Sequence, residues 1–246
     1  MSPERPPPPT PVMRIASIDD PRTITLLTTE HWSLLAARSL AYNEAFVRAG
    51  MFLTFLSMSF VALALLAQAM SFGQGFLSVA ALVMAFDFVI GLTTLLRISG
   101  ANLDDLRAVH GMARIRHAYT EITPIVTPYL TTPTHDDLEA VYTVYGGPIS
   151  GRGWGQFLYG LSTSTGMIGL IVAMVGGVLT SVVAMLIGLD AGSSIWIGVP
   201  GGVIVLVAMF AYSAQALPRE LARFTARFPT PSADLVGGTD DIEGPH

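Results

Sequence analysis

A single carboxylate, Asp87, lies inside a long and otherwise uncharged segment of the sequence, between Phe86 and Phe88. A charged carboxylate at the centre of a bilayer costs about 2.5–3.5 kcal/mol on insertion scales. The uncharged segments contain no arginine or histidine that could pair with it. Its side chain must therefore be protonated, face water or hydrogen-bond to another helix, with Gln68 or Thr165 as candidate partners. Asp87 fits either a proton or cation site in a pore or a neutral structural link between helices.

His110, Arg114 and His117 are the other residues whose types suggest chemistry, because they share one face of a predicted helix. Two histidines seven residues apart could share a metal ion, but no carboxylate completes a ligand set on that face. We therefore expect no metal and no cofactor, and instead a solvated or phosphate-facing surface. Glycines 146–155 follow no predicted strand, which argues against a phosphate-binding loop. The chain also lacks the local signatures of hydrolases and zinc proteases, so we predict a protein without enzymatic activity.

Four segments of the chain are apolar enough to cross a membrane. The sequence is 51% hydrophobic and 13% charged, with a mean hydropathy of +0.56, whereas soluble domains carry about 25% charged residues. A membrane-spanning helix needs about 20 apolar residues, and its backbone groups must be paired within the segment. The sequence therefore predicts an all-α membrane protein with four transmembrane helices, at 50–70, 76–96, 157–188 and 194–217.

The links between these segments predict their orientation. Short links at 71–75 and 189–193 join the segments into two antiparallel hairpins. None of the thirteen arginines lies in either link, and positive residues concentrate on the cytoplasmic side of membrane proteins. We therefore place both termini in the cytoplasm, at a bacterial plasma (inner) membrane. The net charge of −5 argues against a nucleic-acid partner. The lipid bilayer is the expected partner, together with self-association or a protein partner.

The first two helices are predicted to extend into the cytoplasm. Apolar and small residues recur there at steps of three and four, which places them on one helical face: Trp32, Leu35, Ser39, Tyr42, Phe46 and Ala49. The two extensions would pack as a stalk or, alternatively, lie flat on the membrane. The predicted organisation is a disordered Pro-rich tail (1–28), a long helical hairpin (29–120), a connector (121–156) with a short helix (135–145), a second transmembrane hairpin (157–217), a basic amphipathic helix (218–230) and a disordered acidic tail (231–246).

Two residue patterns predict contacts of the second hairpin. Small residues stand at every fourth position of the third apolar segment: Thr165, Gly169, Ala173, Gly177 and Ser181. Such a ladder allows another helix to approach closely, either the fourth segment or a second copy of the chain. Arg219, Arg223 and Arg227 repeat every four residues after the last segment, and we expect them to anchor the chain at lipid headgroups.

The segments HWSLLAARS and NEAFVRAGMFL, together with RIRHAY at 114–119, resemble an uncharacterised group of four-span membrane proteins from high-GC bacteria. The resemblance covers roughly residues 29–130 and implies a family but no activity. The order of cytoplasmic helix, two spans and cytoplasmic helix is also similar in outline to two-span effector domains of bacterial conflict systems, which are thought to form pores. The sequence predicts a membrane scaffold or accessory subunit acting through its cytoplasmic helices. The alternatives are an oligomeric pore that uses Asp87 and, with least support, a membrane enzyme acting on lipid.

Overall fold

A computed structural model of the chain describes residues 18, 20–145, 158, 160–221 and 225–231. The regular structure of this described part is helical and contains no strand, and four helices are long and apolar enough to cross a membrane. These two features of the predicted fold are confirmed. The helices are α1 (Pro21–Met70), α2 (Gln74–Ile122), a 3-10 helix (Pro124–Tyr129), α3 (Leu138–Thr143), α4 (Ser164–Leu186) and α5 (Ala191–Leu221).

Helix α1 begins earlier than the sequence pattern indicated. The Asp20 side chain accepts a hydrogen bond of 2.8 Å from the Arg22 N–H, and Pro21 occupies the first turn, where it needs no donor partner. The expected tail is therefore wrong for 21–28, and residues 1–17 and 19 lie outside the described residues. The 50 residues of α1 extend about 75 Å, more than twice the ~30 Å of a bilayer core.

Helices α1 and α2 pack against each other along their length as an antiparallel pair. Early α1 residues meet late α2 residues, as in the contact of Leu34 with Gly111, whereas Ser59 meets Asp87 nearer the turn. That turn places Ser71 and Phe72 in the left-handed region, at φ of 50° and 57°. An apolar core of α1 and α2 side chains, including Phe52 and Ile98, also receives Ile168 and Val172 of α4.

The face of α1 that packs on α2 matches the predicted stripe only in part. Ala49 of the stripe is buried and the Tyr42 hydroxyl bonds to Asp105 of α2, but Trp32 and Phe46 are 64% and 57% exposed. Ala45 and Phe52, which lie outside the stripe, are buried. Spacing alone therefore does not identify the face that meets a partner. On α2, apolar residues at steps of three and four are buried: Ile98, Leu106, Val109 and Ala113. Asn102, which lies between them and donates to the Thr165 hydroxyl, is exposed.

The remaining helices have shorter or shifted bounds. Thr163 caps α4 by accepting from the Gly166 N–H at 3.1 Å, so this helix begins at residue 164 rather than 157. Asp190 accepts from the Ser193 N–H and hydroxyl, and α5 begins at 191 rather than 194. Helix α3 begins at Leu138 rather than 135, because Asp137 accepts hydrogen bonds at its start. The glycine-containing segment 146–155 falls outside the described residues.

Candidate functional site

A buried carboxylate, Asp105, joins both extensions to the connector. Its side chain has no exposed surface and pairs with the guanidinium of Arg38 on α1. The Tyr42 hydroxyl donates to Asp105 at 3.0 Å and the Tyr145 hydroxyl donates at 2.6 Å. We call these four residues the Asp105 cluster. A carboxylate can be buried when hydrogen-bond donors surround it, and Asp105 has three side-chain donors. Because these donors come from α1 and from the residue after α3, the cluster holds α1, α2 and the connector together.

The electrostatics of the cluster follow from its burial. Burial raises the pKa of the Tyr145 hydroxyl, and the hydrogen bond to Asp105 raises it further. Burial also raises the pKa of Tyr42, followed by the charge of Asp105 and then the hydrogen bond to it. Both tyrosines therefore stay protonated near neutral pH and act as donors.

A second buried carboxylate, Asp136, holds the C-terminal segment 225–231. Asp136 accepts from the backbone N–H groups of Arg227 at 2.9 Å and Phe228 at 2.7 Å, and from the Arg114 side chain at 2.6 Å. The neighbouring Asp137 accepts from the Thr230 N–H at 3.1 Å. We call Asp136, Asp137 and segment 225–231 the Asp136 latch. Burial acts to raise the pKa of Asp136, but the hydrogen bonds from Arg227 and Arg114 outweigh it and lower that pKa overall.

The latch corrects two predictions about this region. Residues 225–231 are not helical, because Pro229 and Pro231 disfavour a helix while Asp136 and Asp137 take the backbone donors. The guanidinium of Arg227 lies over the Phe228 ring at 5.9 Å, so this arginine belongs to the latch rather than to a helical row of lipid anchors. The side chains of Arg219 and Arg223 lie outside the described residues.

The three residues predicted to form a solvated face of α2 instead contact the latch. His110 is buried, with Nε2 lying 3.6 Å from an Asp136 oxygen, and Arg114 pairs with the same carboxylate. The His117 ring stacks on Phe228 at 4.1 Å between centroids. Burial lowers the pKa of His110, and the Arg114 charge lowers it further. Within the described residues, no group of three or more His, Cys, Asp or Glu could hold a metal ion.

Asp87 lies between α1 and α2 with no exposed surface. Its Oδ1 accepts from the Ser59 hydroxyl at 3.0 Å, and its Oδ2 is buried with no hydrogen-bond partner in the described part of the chain. Neither predicted partner contacts it, because Gln68 is exposed and Thr165 accepts from the Asn102 amide at 2.8 Å. Ser59 also lines an open apolar groove of about 560 Å³ between the two helices. Ser59 was not predicted as the partner of Asp87, because the two residues lie on different helices and the spacing of residues in the sequence does not show contacts between helices.

The small-residue ladder lies against α5 of the same chain. A Cβ placed on Gly177 would lie 2.9 Å from the Gly198 carbonyl oxygen, and one on Gly202 would lie 2.9 Å from the Ala173 carbonyl. A Cβ on Gly198 would overlap the Ser181 hydroxyl. The backbones of α4 and α5 therefore touch where only glycine fits. Of the ladder, Gly169 packs on Met209 of α5, while Thr165 instead bonds to α2.

No known protein family matches the chain, and neither a curated protein nor a solved structure matches it. The resemblance of residues 29–130 to a group of four-span bacterial proteins therefore stays a prediction. The fold and the buried clusters together define a helical bundle with four apolar helices, which is compatible with a multi-pass membrane protein.

Proposed function

We propose that the protein is a non-enzymatic, four-span scaffold or accessory subunit of the bacterial plasma membrane, with both termini in the cytoplasm. Segments 50–70, 76–96, 164–186 and 191–212 form two antiparallel membrane-spanning hairpins. Support comes from four helices whose apolar windows are long enough for a bilayer and from the absence of arginine in both short links. The parts of α1 and α2 beyond the spans then form a cytoplasmic body.

The observation that favours a scaffold is the surface of this body. The part of α1 beyond its span exposes Trp32, Leu40 and Phe46, each by more than half of its surface. At 1.5 Å per residue, Trp32 lies about 27 Å and Leu40 about 15 Å along the helix from residue 50, beyond the headgroup layer, whereas Phe46 lies about 6 Å away and borders it. Large apolar side chains exposed to water along one element are typical of protein-binding surfaces. The Asp105 cluster and the Asp136 latch hold the surrounding elements in place, so this surface is presented on a rigid support.

Site-specific photo-crosslinking in intact cells tests the scaffold. A photoreactive benzoyl-phenylalanine at Trp32 should yield one discrete protein adduct in constant proportion, and Leu40→Glu should abolish it. The same reagent at Arg107, which is exposed on α2 and pairs with Asp104, serves as the control position and should yield no such adduct. The scaffold would be contradicted by the absence of any adduct at Trp32, or by equal adducts at both positions.

A second candidate, an oligomeric pore, is favoured by one observation: Oδ2 of Asp87 is buried without a hydrogen-bond partner in the described part. Liposomes that contain only the purified chain should show no ion or proton flux if the protein is a scaffold. Flux in those liposomes that is lost in Asp87→Asn, with Ser57→Ala as the matched control, would favour the pore.

A further inference from the structure

Arg116 is a half-buried arginine on the part of α2 that extends beyond the span. The other arginines on α1 and α2 whose side chains are not fully open to solvent have acidic partners, as in the pairs of Arg38 with Asp105 and Arg114 with Asp136. Arg116 has no carboxylate within ion-pair distance and no hydrogen bond in the described part of the chain. A cation that has lost part of its hydration and gained no counter-ion is unfavourable, so its surroundings are suited to an anion.

The neighbours of Arg116 add donors and positive charge rather than acidic groups. The ring of His31 on α1 lies 6.4 Å from the ring of Tyr119, which follows Arg116 by three residues and shares its helix face. The Nδ1 atom of His31 is buried and has no hydrogen-bond partner in the described part. Burial lowers the pKa of Arg116, and the charge of Arg38 lowers it further.

We infer that Arg116, His31 and Tyr119 form a binding site for a phosphate group between the two cytoplasmic helices. A guanidinium offers paired N–H donors in the geometry that phosphate oxygens accept, while the imidazole and the phenol supply further donors. This inference rests on the proposed membrane topology but not on the scaffold role, because it concerns a small ligand that binds without a protein partner.

The position of the site favours a soluble phosphate compound over a lipid headgroup. Arg116 lies twenty residues beyond residue 96, the predicted end of the second span. At 1.5 Å per residue, this is about 30 Å along the helix, out of reach of the headgroups of the same membrane.

Titration of the purified full-length chain with inorganic phosphate in detergent, followed by calorimetry, tests the site. Potassium chloride of matched ionic strength serves as the blank. The wild type should bind phosphate, Arg116→Gln should bind at least about tenfold more weakly, and Arg107→Gln should bind like the wild type. Arg116→Lys, which keeps the charge but loses the planar fork, should bind with intermediate affinity.

Several results would overturn the inference. One is a wild-type titration indistinguishable from chloride, which requires no variant to fold. Another is an equal loss of phosphate affinity in Arg116→Gln and Arg107→Gln. Displacement of bound phosphate by phosphatidic acid vesicles would refute the soluble source.

Discussion

Replacement of Asp105 by asparagine should release the connector from helices α1 and α2. The carboxylate is fully buried, balances Arg38 and receives two tyrosine hydroxyls. Asparagine removes the charge and exchanges one acceptor oxygen for an N–H₂ group, so at least one donor loses its partner. Removing one member of a buried ion pair costs about 3–5 kcal/mol. Since the Arg38 side chain is 29% exposed and regains some water, we expect a value near 3 kcal/mol, or a roughly 100-fold change in the opening equilibrium.

Amide hydrogen exchange across residues 138–145 measures this opening directly. The Val141 N–H, which bonds to the Asp137 carbonyl at 3.0 Å, should lose roughly 100-fold in protection in Asp105→Asn. Asp104→Asn is the matched control, because Asp104 is the adjacent residue and its pair with Arg107 is about half exposed on both sides. Equal loss of protection in the two variants, or unchanged exchange in Asp105→Asn, would refute the role assigned to the cluster.

Three further outcomes are expected. Gly177→Leu should separate α4 from α5 and lower the melting temperature, because its Cβ would lie 2.9 Å from the Gly198 carbonyl oxygen. A Cβ on Gly100 meets no atom within 4 Å, so Gly100→Leu should be tolerated. Asp136→Asn should free segment 225–231, and tryptic cleavage after Arg227 should accelerate at least about tenfold, relative to Asp104→Asn. Burial, and then the Arg114 charge, lowers the pKa of His110, so the unfolded chain takes up this proton first as pH falls. Stability should therefore be full above the ordinary value of 6.5 and decline below it, which a melting series from pH 8 to pH 5 measures; His110→Gln should flatten the decline.

The sequence predicted the helices because hydrophobicity and helix length are local properties. Four apolar segments of about 20 residues or more are sufficient to predict helices that could span a membrane, and the predicted end of the long hairpin at residue 120 lies close to the end of α2 at Ile122. The start of α1 was missed although Asp20 and Pro21 are a local cap signal. The polar and proline-rich residues that surround this cap resemble a tail in composition.

The buried polar contacts could not be predicted, because they join residues far apart in the chain. Asp104 and Asp105 are neighbours of the same type, yet Asp104 is exposed and Asp105 is fully buried. Only the packing of α1 and the connector distinguishes them. The same holds for Asp136, because the backbone N–H groups that bond to it, those of Arg227 and Phe228, lie more than 90 residues away in the chain.

Labelling of single cysteines in intact cells tests the proposed arrangement in the membrane most directly. The chain has no cysteine of its own, so one introduced at Gly73, Ala191 or Thr131 is the sole target. We expect a membrane-impermeant maleimide to label Gly73→Cys and Ala191→Cys from outside the cell, and Thr131→Cys only after permeabilisation. Labelling of Thr131→Cys in intact cells, or protection of the other two positions until permeabilisation, would contradict the proposed four-span topology.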